Sequence, residues 1–321
     1  MANIRDVAKK AGVGIATVSR CINEDGYVSL EVRERIQKAI DELNYKPNAL
    51  ARAIFTKSSM MLGLIIPNIV NPFYPELATG IENRARERGY NIVLSNTEYS
   101  KNNEQNIIEM MQRHRVDGII VANPQCSEEY INSDIPVVSI EKKISKDITF
   151  IASDYFKGGE LVAEYIIKNN LKKILHIKVP DNIITSSKRF GGFESKLKEK
   201  GIKCDIIEGI YGEDISNIKN RLSNYEIVFV WNDDLAISLM SECYKIGLNV
   251  PDDIQIIGFD NIYYSSKTSP PLTTVGQSIQ KMGETSVDLI IEQIENKKTV
   301  DNEHIFNVEF IQRSSTKPRE K

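Results

Sequence analysis

A short run near the N-terminus concentrates side chains suited to reading the edge of another molecule. In Gly14 to Asn23, Val18 and Ile22 lie four apart and share one face of a helix, which leaves Thr17, Ser19, Arg20 and Asn23 as a polar surface. The planar guanidinium of Arg20 can give two parallel hydrogen bonds, a geometry that matches guanine O6 and N7 in a DNA major groove. Catalytic and metal chemistry lack their residues. Cys21, Cys126, Cys204 and Cys243 are scattered with no Cys-x-x-Cys pair, and His114, His176 and His304 are as far apart. No histidine accompanies a nucleophile motif, and no glycine-rich phosphate loop follows a strand. The expectation is a protein that is not an enzyme, with no metal site, no cofactor and reduced thiols.

The elements that must carry Arg20 are legible around it. Asn3 is placed to cap a first helix with Val7 and Ala8 on its apolar face, and Gly12 supplies the turn before the second. Ser29 is placed to cap a third helix, in which Val32, Ile36, Ala39, Ile40 and Leu43 repeat at helical spacing until Tyr45-Lys46-Pro47 stops it. Two helices around a glycine turn, buttressed by a third, form the layout that presents one exposed helix to a major groove. Charge agrees. The chain of 321 residues is acidic overall at −3, but Met1 to Ser59 holds ten basic and seven acidic residues, a balance of +3, leaving −6 for the rest. A small basic module on a larger acidic one is a pattern of proteins that meet nucleic acid at one end.

The run Asn3-Ile4-Arg5-Asp6-Val7-Ala8-Lys9-Lys10-Ala11-Gly12-Val13-Gly14-Ile15-Ala16-Thr17-Val18-Ser19-Arg20-Cys21-Ile22-Asn23 resembles the DNA-binding signature of the LacI/GalR family of repressors. The resemblance implies a helix-turn-helix (lambda-repressor-like) domain over 1–46, with Ile15, Ala16 and Arg20 at base edges and Thr17, Ser19 and Asn23 near phosphates or bases. Gly14 stands where the family commonly has serine, so a capping, phosphate-contacting hydroxyl is missing there. The resemblance makes 47–59 a hinge helix and linker, formed when two subunits sit on the operator. Tyr45, Asn48, Ala51 and Ile54 then join the DNA contacts, with Ile54 at the position of a minor-groove wedge. A helix of barely two turns is marginal without partners, which suits a conditional element.

From Met60 onward short apolar runs alternate with helical segments. Leu62 to Pro67, Asn91 to Ser95, Gly118 to Ala122 and Pro136 to Ile140 are expected strands, with helices at Tyr74 to Arg88 and Asn103 to Arg115. The pattern restarts after Ser153, with strands at Lys173 to Val179, Asp205 to Glu208, Ile227 to Trp231 and Ile254 to Phe259, and helices at Lys157 to Asn169, Arg189 to Glu199 and Asp234 to Ile246. Near-continuous apolar strands with intervening helices predict parallel sheets covered on both faces, here two lobes with a ligand crevice beyond their strand ends. The LacI/GalR resemblance extends over this part too, through Ile66 to Tyr74, Ser153 to Gly159, Arg189 to Phe193, Gly258 to Asn261 and Pro271 to Val275. It implies a two-lobed, periplasmic-binding-protein-like α/β core over 60–321: lobe one about 60–153 and 278–302, lobe two about 154–277 and 303–321, with a last strand, Ile305 to Gln312, in the second lobe. By position it places Asn71, Phe73, Glu141, Asp154, Arg189, Tyr211, Asn232, Asp260 and Gln277 around an effector. Tyr155 departs from the asparagine usual after that aspartate.

Such residues suit a sugar: Arg189, Asp260, Glu141 and Asn232 can bridge adjacent hydroxyls, while Phe73 and Tyr211 can pack on a ring face. The expected protein is a homodimeric, effector-controlled repressor on a pseudo-palindromic operator. Its polar tail, Arg313 to Lys321, lacks a heptad leucine pattern, which favours a dimer over a coiled-coil tetramer. A charged N-terminus and no membrane-length apolar run point to the cytoplasm, at the nucleoid, with no membrane partner. Two other controllers stay open, a purine or other metabolite and a phosphorylated carrier protein. A transporter's solute-binding protein shares the two-lobed fold but would not carry the N-terminal unit.

Overall fold

A computed structural model describes residues 2–23, 26–46, 58–179, 184–208, 218–296 and 303–317. The chain forms two compact units, Met1–Ser59 and Met60–Lys321.

In the first unit α1 (Ile4–Ala11), α2 (Ile15–Asn23) and α3 (Leu30–Leu43) pack around Val7, Ala8, Ala11, Val18, Ile36 and Ala39, all buried. Asn3 starts α1 with a reciprocal cap: its Oδ1 accepts from the Arg5 and Asp6 amides at 2.9 and 3.2 Å, and Asp6 Oδ2 accepts from the Asn3 amide at 2.9 Å. Gly12 ends α1 in the left-handed region (φ 65°), where a Cβ would be strained, so the turn into α2 depends on it. Ser29 holds the N-cap position of α3 but makes no side-chain cap bond. Asn44, with φ 47°, ends α3 just before the proline.

The second unit holds two six-stranded sheets. Its elements are β1 (Met61–Ile66), α4 (Phe73–Glu87), β2 (Asn91–Asn96), α5 (Lys101–Arg113), β3 (Gly118–Ala122), α6 (Ser127–Ile131), β4 (Val137–Ile140), β5 (Thr149–Ser153), α7 (Tyr155–Lys168), β6 (Ile174–Lys178), α8 (Ile184–Glu199), β7 (Asp205–Glu208), α9 (Lys219–Leu222), β8 (Ile227–Val230), α10 (Asp233–Lys245), β9 (Gln255–Asp260), β10 (Thr273–Gly276), α11 (Ile279–Asn296), β11 (Glu303–Phe306) and β12 (Glu309–Ile311). Lobe one orders its strands β11-β5-β4-β3-β1-β2, all parallel. Lobe two orders them β12-β10-β9-β8-β6-β7, parallel except for β12.

One expected strand is two. The run read as Ile305 to Gln312 in lobe two divides into β11, which pairs with β5 of lobe one, and β12, which pairs antiparallel with β10 of lobe two. Two residues, Asn307 and Val308, make the crossing, so 303–306 belongs to the first sheet. Exposure alternates without a break from Glu303 through the crossing to Phe310, so both halves read as one half-buried edge strand. The chain also crosses at β5 to α7 and at β10 to α11. Strand β5 and helix α6 were not foreseen either; β5 is flanked by polar loop residues and offers five residues of signal.

Close helix crossings hold each lobe. In lobe two a Cβ on Gly159 of α7 would meet the Arg189 carbonyl oxygen of α8 at 2.0 Å, and one on Gly192 would meet the Phe156 carbonyl oxygen at 1.9 Å. The two backbones touch, and only paired glycines allow it. Lobe one repeats the device between α4 and α11, where Gly80 faces the Gln280 carbonyl at 2.5 Å and Gly283 faces that of Leu77 at 2.7 Å.

Candidate functional site

The crevice beyond the carboxyl ends of the strands collects most of the expected core residues, as open α/β sheets require. Glu141 follows β4, Trp231 and Asn232 follow β8, Asp260 ends β9, Gln277 follows β10, and Arg189 lies on the helix after β6. The α7–α8 backbone contact fixes where Arg189 starts, and three rings fix where it ends. Its guanidinium carbon sits 3.9 Å from the Phe259 ring centroid, 5.1 Å from Tyr155 and 5.8 Å from Trp231. Nη1 donates to the Trp231 carbonyl at 2.5 Å and Nη2 to Asp260 Oδ1 at 3.2 Å. Gln277 Nε2 donates to the same oxygen at 2.6 Å. Arg189, Asp260 and Gln277 are all buried.

Lobe one contributes Glu141, whose Oε2 accepts from the Tyr74 hydroxyl at 3.3 Å. Both crevice carboxylates sit on left-handed backbone, Glu141 at φ 69° and Asp260 at φ 118°, a strain found where position matters more than local comfort. Behind them Asp233 accepts from the Ile262 amide and the Ser265 hydroxyl through Oδ2, and from the Thr274 hydroxyl through Oδ1, pinning the turn after β9 to β10. Two buried carboxylates thus face one guanidinium: Asp260 is paired with Arg189 directly, and Glu141 lies within reach of its charge. Burial pushes the Glu141 carboxyl up to about 7, with Arg189 and the Tyr74 hydroxyl opposing. Asp260 is also driven well above the carboxylate range, by burial first and by Asp233 and Glu141, against the pull of Arg189 and Gln277.

The cluster leaves hydrogen-bonding capacity unused. Arg189 Nε, Gln277 Oε1 and the Tyr155 hydroxyl are buried with no partner among the described residues. A donor, an acceptor and a group that can do either, gathered in one crevice, are what a polyhydroxylated ligand would complete.

Other expected residues are spent locally. Asp154 Oδ1 caps α7 through the Lys157 amide at 2.9 Å, and Asn232 Oδ1 caps α10 through the Leu235 amide at 3.0 Å. Asn71 Oδ1 accepts from the Phe73 amide at 3.0 Å. Phe73 lies in the lobe-one core, edge-on to Tyr74. Tyr211 lies outside the described residues. Among the described residues, no group of three or more His, Cys, Asp or Glu side chains is arranged to hold a metal ion.

Residue type alone did not single out Trp231, Phe259 or Tyr74. Trp231 carried a signal, as the chain's one tryptophan at the carboxyl end of a strand. Phe259 carried none, because it reads as one more apolar residue of a buried strand.

In the first unit, Ile15, Ala16 and Arg20 are exposed along α2, and Thr17, Ser19 and Asn23 are half-exposed. Asn23 Nδ2 donates to Ser19 Oγ at 3.3 Å. Ile15 is 47% exposed. Tyr45 packs partly against the three-helix core. Asn48, Ala51 and Ile54 lie outside the described residues. No helix among the described residues is long and apolar enough to cross a membrane.

Comparison with known proteins matches both units of the chain. Residues 3–48 match the bacterial regulatory proteins of the lacI family, and residues 163–316 match a periplasmic binding protein-like domain. The chain is 34% identical over 323 residues to the ribose operon repressor of Halalkalibacterium halodurans, covering 99% of this chain and 98% of that protein. The structure of a periplasmic binding protein/LacI transcriptional regulator from Alkaliphilus metalliredigens, complexed with D-xylulofuranose, is similar at 37% identity with a TM-score of 0.77, covering 81% of this chain and 100% of that one. The lac repressor dimer bound to operator and the anti-inducer ONPF matches with a TM-score of 0.87 at 25% identity, over 98% of this chain and 99% of that one. Basic three-helix unit, two-lobed crevice and whole-length relatives converge: the chain belongs to the lacI family of bacterial regulatory proteins and is a transcriptional repressor controlled by a small-molecule effector.

Proposed function

We propose that the effector is a sugar of pentose size, held between the lobes by Arg189, Asp260, Gln277 and Glu141. The observation that carries this is the Arg189–Asp260–Gln277 cluster with its unpartnered donor and acceptor, walled by aromatic rings. Paired planar polar groups beside rings are the chemistry of sugar recognition. Two of the similar proteins are a ribose operon repressor and a regulator complexed with D-xylulofuranose, which supports a five-carbon ligand. The polar groups are spent on one another rather than on a nucleophile and its base, which supports binding over catalysis.

The operator partner is assigned to the first unit. Residues 1–46 form the DNA-reading head, 47–59 the hinge and 60–321 the core. Arg20 reads a guanine, Ile15 and Ala16 make apolar contact, for example with a thymine methyl, Thr17, Ser19 and Asn23 lie near phosphates or bases, and Tyr45 joins the DNA contacts. Asn48, Ala51 and Ile54 act in the hinge. The protein works as a homodimer in the cytoplasm, so that two heads meet a pseudo-palindromic site. A face of lobe one supports this: Val70 and Ile69 are 82% and 59% exposed, and an open groove of about 460 Å³ runs past Leu64, Ile66, Ala78, Ile92 and Leu94. A second copy covers it; one of the structures that this chain resembles is a lac repressor dimer.

Operator binding titrated with D-ribose, D-xylulose, hexoses and purine bases tests the reading. A shift in DNA affinity with a pentose is expected. A shift only with a purine base, or only with a phosphorylated carrier protein, would replace the sugar as the controller.

A further inference from the structure

Tyr155 is the first residue of α7, immediately after the capping Asp154. Its ring belongs to the lobe-two core, 6.4 Å from the Phe259 ring and under the Arg189 guanidinium, and the residue is 2% exposed. Packing therefore explains the ring. It does not explain the hydroxyl, which is buried and has no hydrogen-bond partner among the described residues. A phenylalanine would fill the same space without leaving a buried polar group unpaired, an arrangement that works against stability. Glu141, Arg189 and Asp260, from both lobes, bear on this hydroxyl by charge, and the Ser153 backbone amide bears on its oxygen; an amide only donates, so the hydroxyl proton is left without an acceptor. The other two unpartnered atoms of the cluster, Arg189 Nε and Gln277 Oε1, belong to the same group of side chains.

We propose that Tyr155 is a specificity-determining residue of the effector site, its hydroxyl completed by a hydroxyl of the bound ligand rather than by any group of the protein. The inference rests on the sugar reading above. It deepens that reading by assigning one corner of the crevice to one ligand hydroxyl, so that a deoxy analogue lacking that hydroxyl is rejected. The argument is asymmetric. With the right sugar all three unpartnered groups are satisfied, and with the deoxy analogue the Tyr155 hydroxyl stays buried and unpaired.

The test compares the full-length protein with Tyr155→Phe by titration calorimetry against D-ribose, D-xylulose and 2-deoxy-D-ribose, together with melting in the absence of sugar. Wild type is expected to bind a pentose and to discriminate against the deoxy sugar. Tyr155→Phe is expected to melt at the same or a higher temperature without ligand, because an unpaired hydroxyl is removed. Its pentose affinity is expected to fall about tenfold, with discrimination against the deoxy sugar narrowed by a similar factor. If wild type binds the pentose and Tyr155→Phe binds it equally well with the same selectivity, this proposal falls and the sugar reading stands. If wild type binds none of these sugars, the sugar reading falls and this proposal with it.

Discussion

The two recognition surfaces are finished to opposite degrees. On α2 the side chains assigned to DNA stand in solvent, Arg20 exposed and Ile15 nearly half so, on a scaffold with a closed core of its own. In the crevice the side chains assigned to the effector are buried and tied to one another, yet three of their polar atoms lack partners. A large rigid partner such as a duplex meets a ready surface, and little inside the head depends on the contact residues. A small ligand is engulfed, so the residues that hold it also hold the lobes. Recognition and stability are separable in the head and merged in the core.

The largest expected effect that would break this contrast is at Arg189. Arg189→Ala leaves Asp260 buried without its guanidinium and the Trp231 carbonyl without its donor, and is expected to cost the core about 3–5 kcal/mol. Urea unfolding measures it; a loss below about 1 kcal/mol would mean that the crevice, like the head, keeps binding apart from stability.

Next is pH. The Glu141 carboxyl is held at about 7 against an ordinary 4.5, so the folded core binds more protons than the unfolded chain between those values. Its contribution is complete below about 4.5 and is lost as pH rises through 7, on the order of 3 kcal/mol. Glu141→Gln is expected to remove that part of the decline in melting temperature from pH 5 to 8. An identical slope in wild type and variant would show that Glu141 is not the buried proton carrier.

Arg20→Ala should reverse the pattern seen at Arg189. It is expected to weaken operator binding by about 1–3 kcal/mol and relax one base pair, while the melting temperature stays put. Uniform weakening on every sequence would make Arg20 a phosphate contact instead. Smallest is Asn3→Ala, which removes the acceptor for the Arg5 and Asp6 amides and is expected to cost the head about 1 kcal/mol, with the core transition unmoved.

The head was almost wholly legible in the sequence because its signals are local. A cap at Asn3, a glycine at position 12 and apolar repeats on three helices each act within a few residues. The α/β character of the core was legible for the same reason, through apolar runs and helical spacing. What escaped depends on distance along the chain. The division of the last strand is decided by which sheet edge each half reaches, and the role of Phe259 by an arginine 70 positions earlier that stacks on it. Asn71, Asp154 and Asn232 were expected around the ligand by position, and each spends its side-chain oxygen on a nearby backbone amide. Residue type shows that such a group accepts a hydrogen bond, whereas only the fold shows from where.

The three chain crossings between the lobes run from β5, β10 and β11, strands that lie together at one end of their sheets. The third crossing has only Asn307 and Val308 to spend, and two residues of chain extend by roughly 7 Å at most. Translation is therefore nearly forbidden there, and the motion left to the lobes is rotation about that end. Displacement then scales with lever arm. Strand β2 lies four strand spacings from β5, roughly 19 Å, so a pivot too small to disturb the crossings moves the outer edge of lobe one by ångströms. The groove past Ile92 and Leu94 lies on that outer edge, which makes the proposed subunit face the place where a bound sugar is felt most.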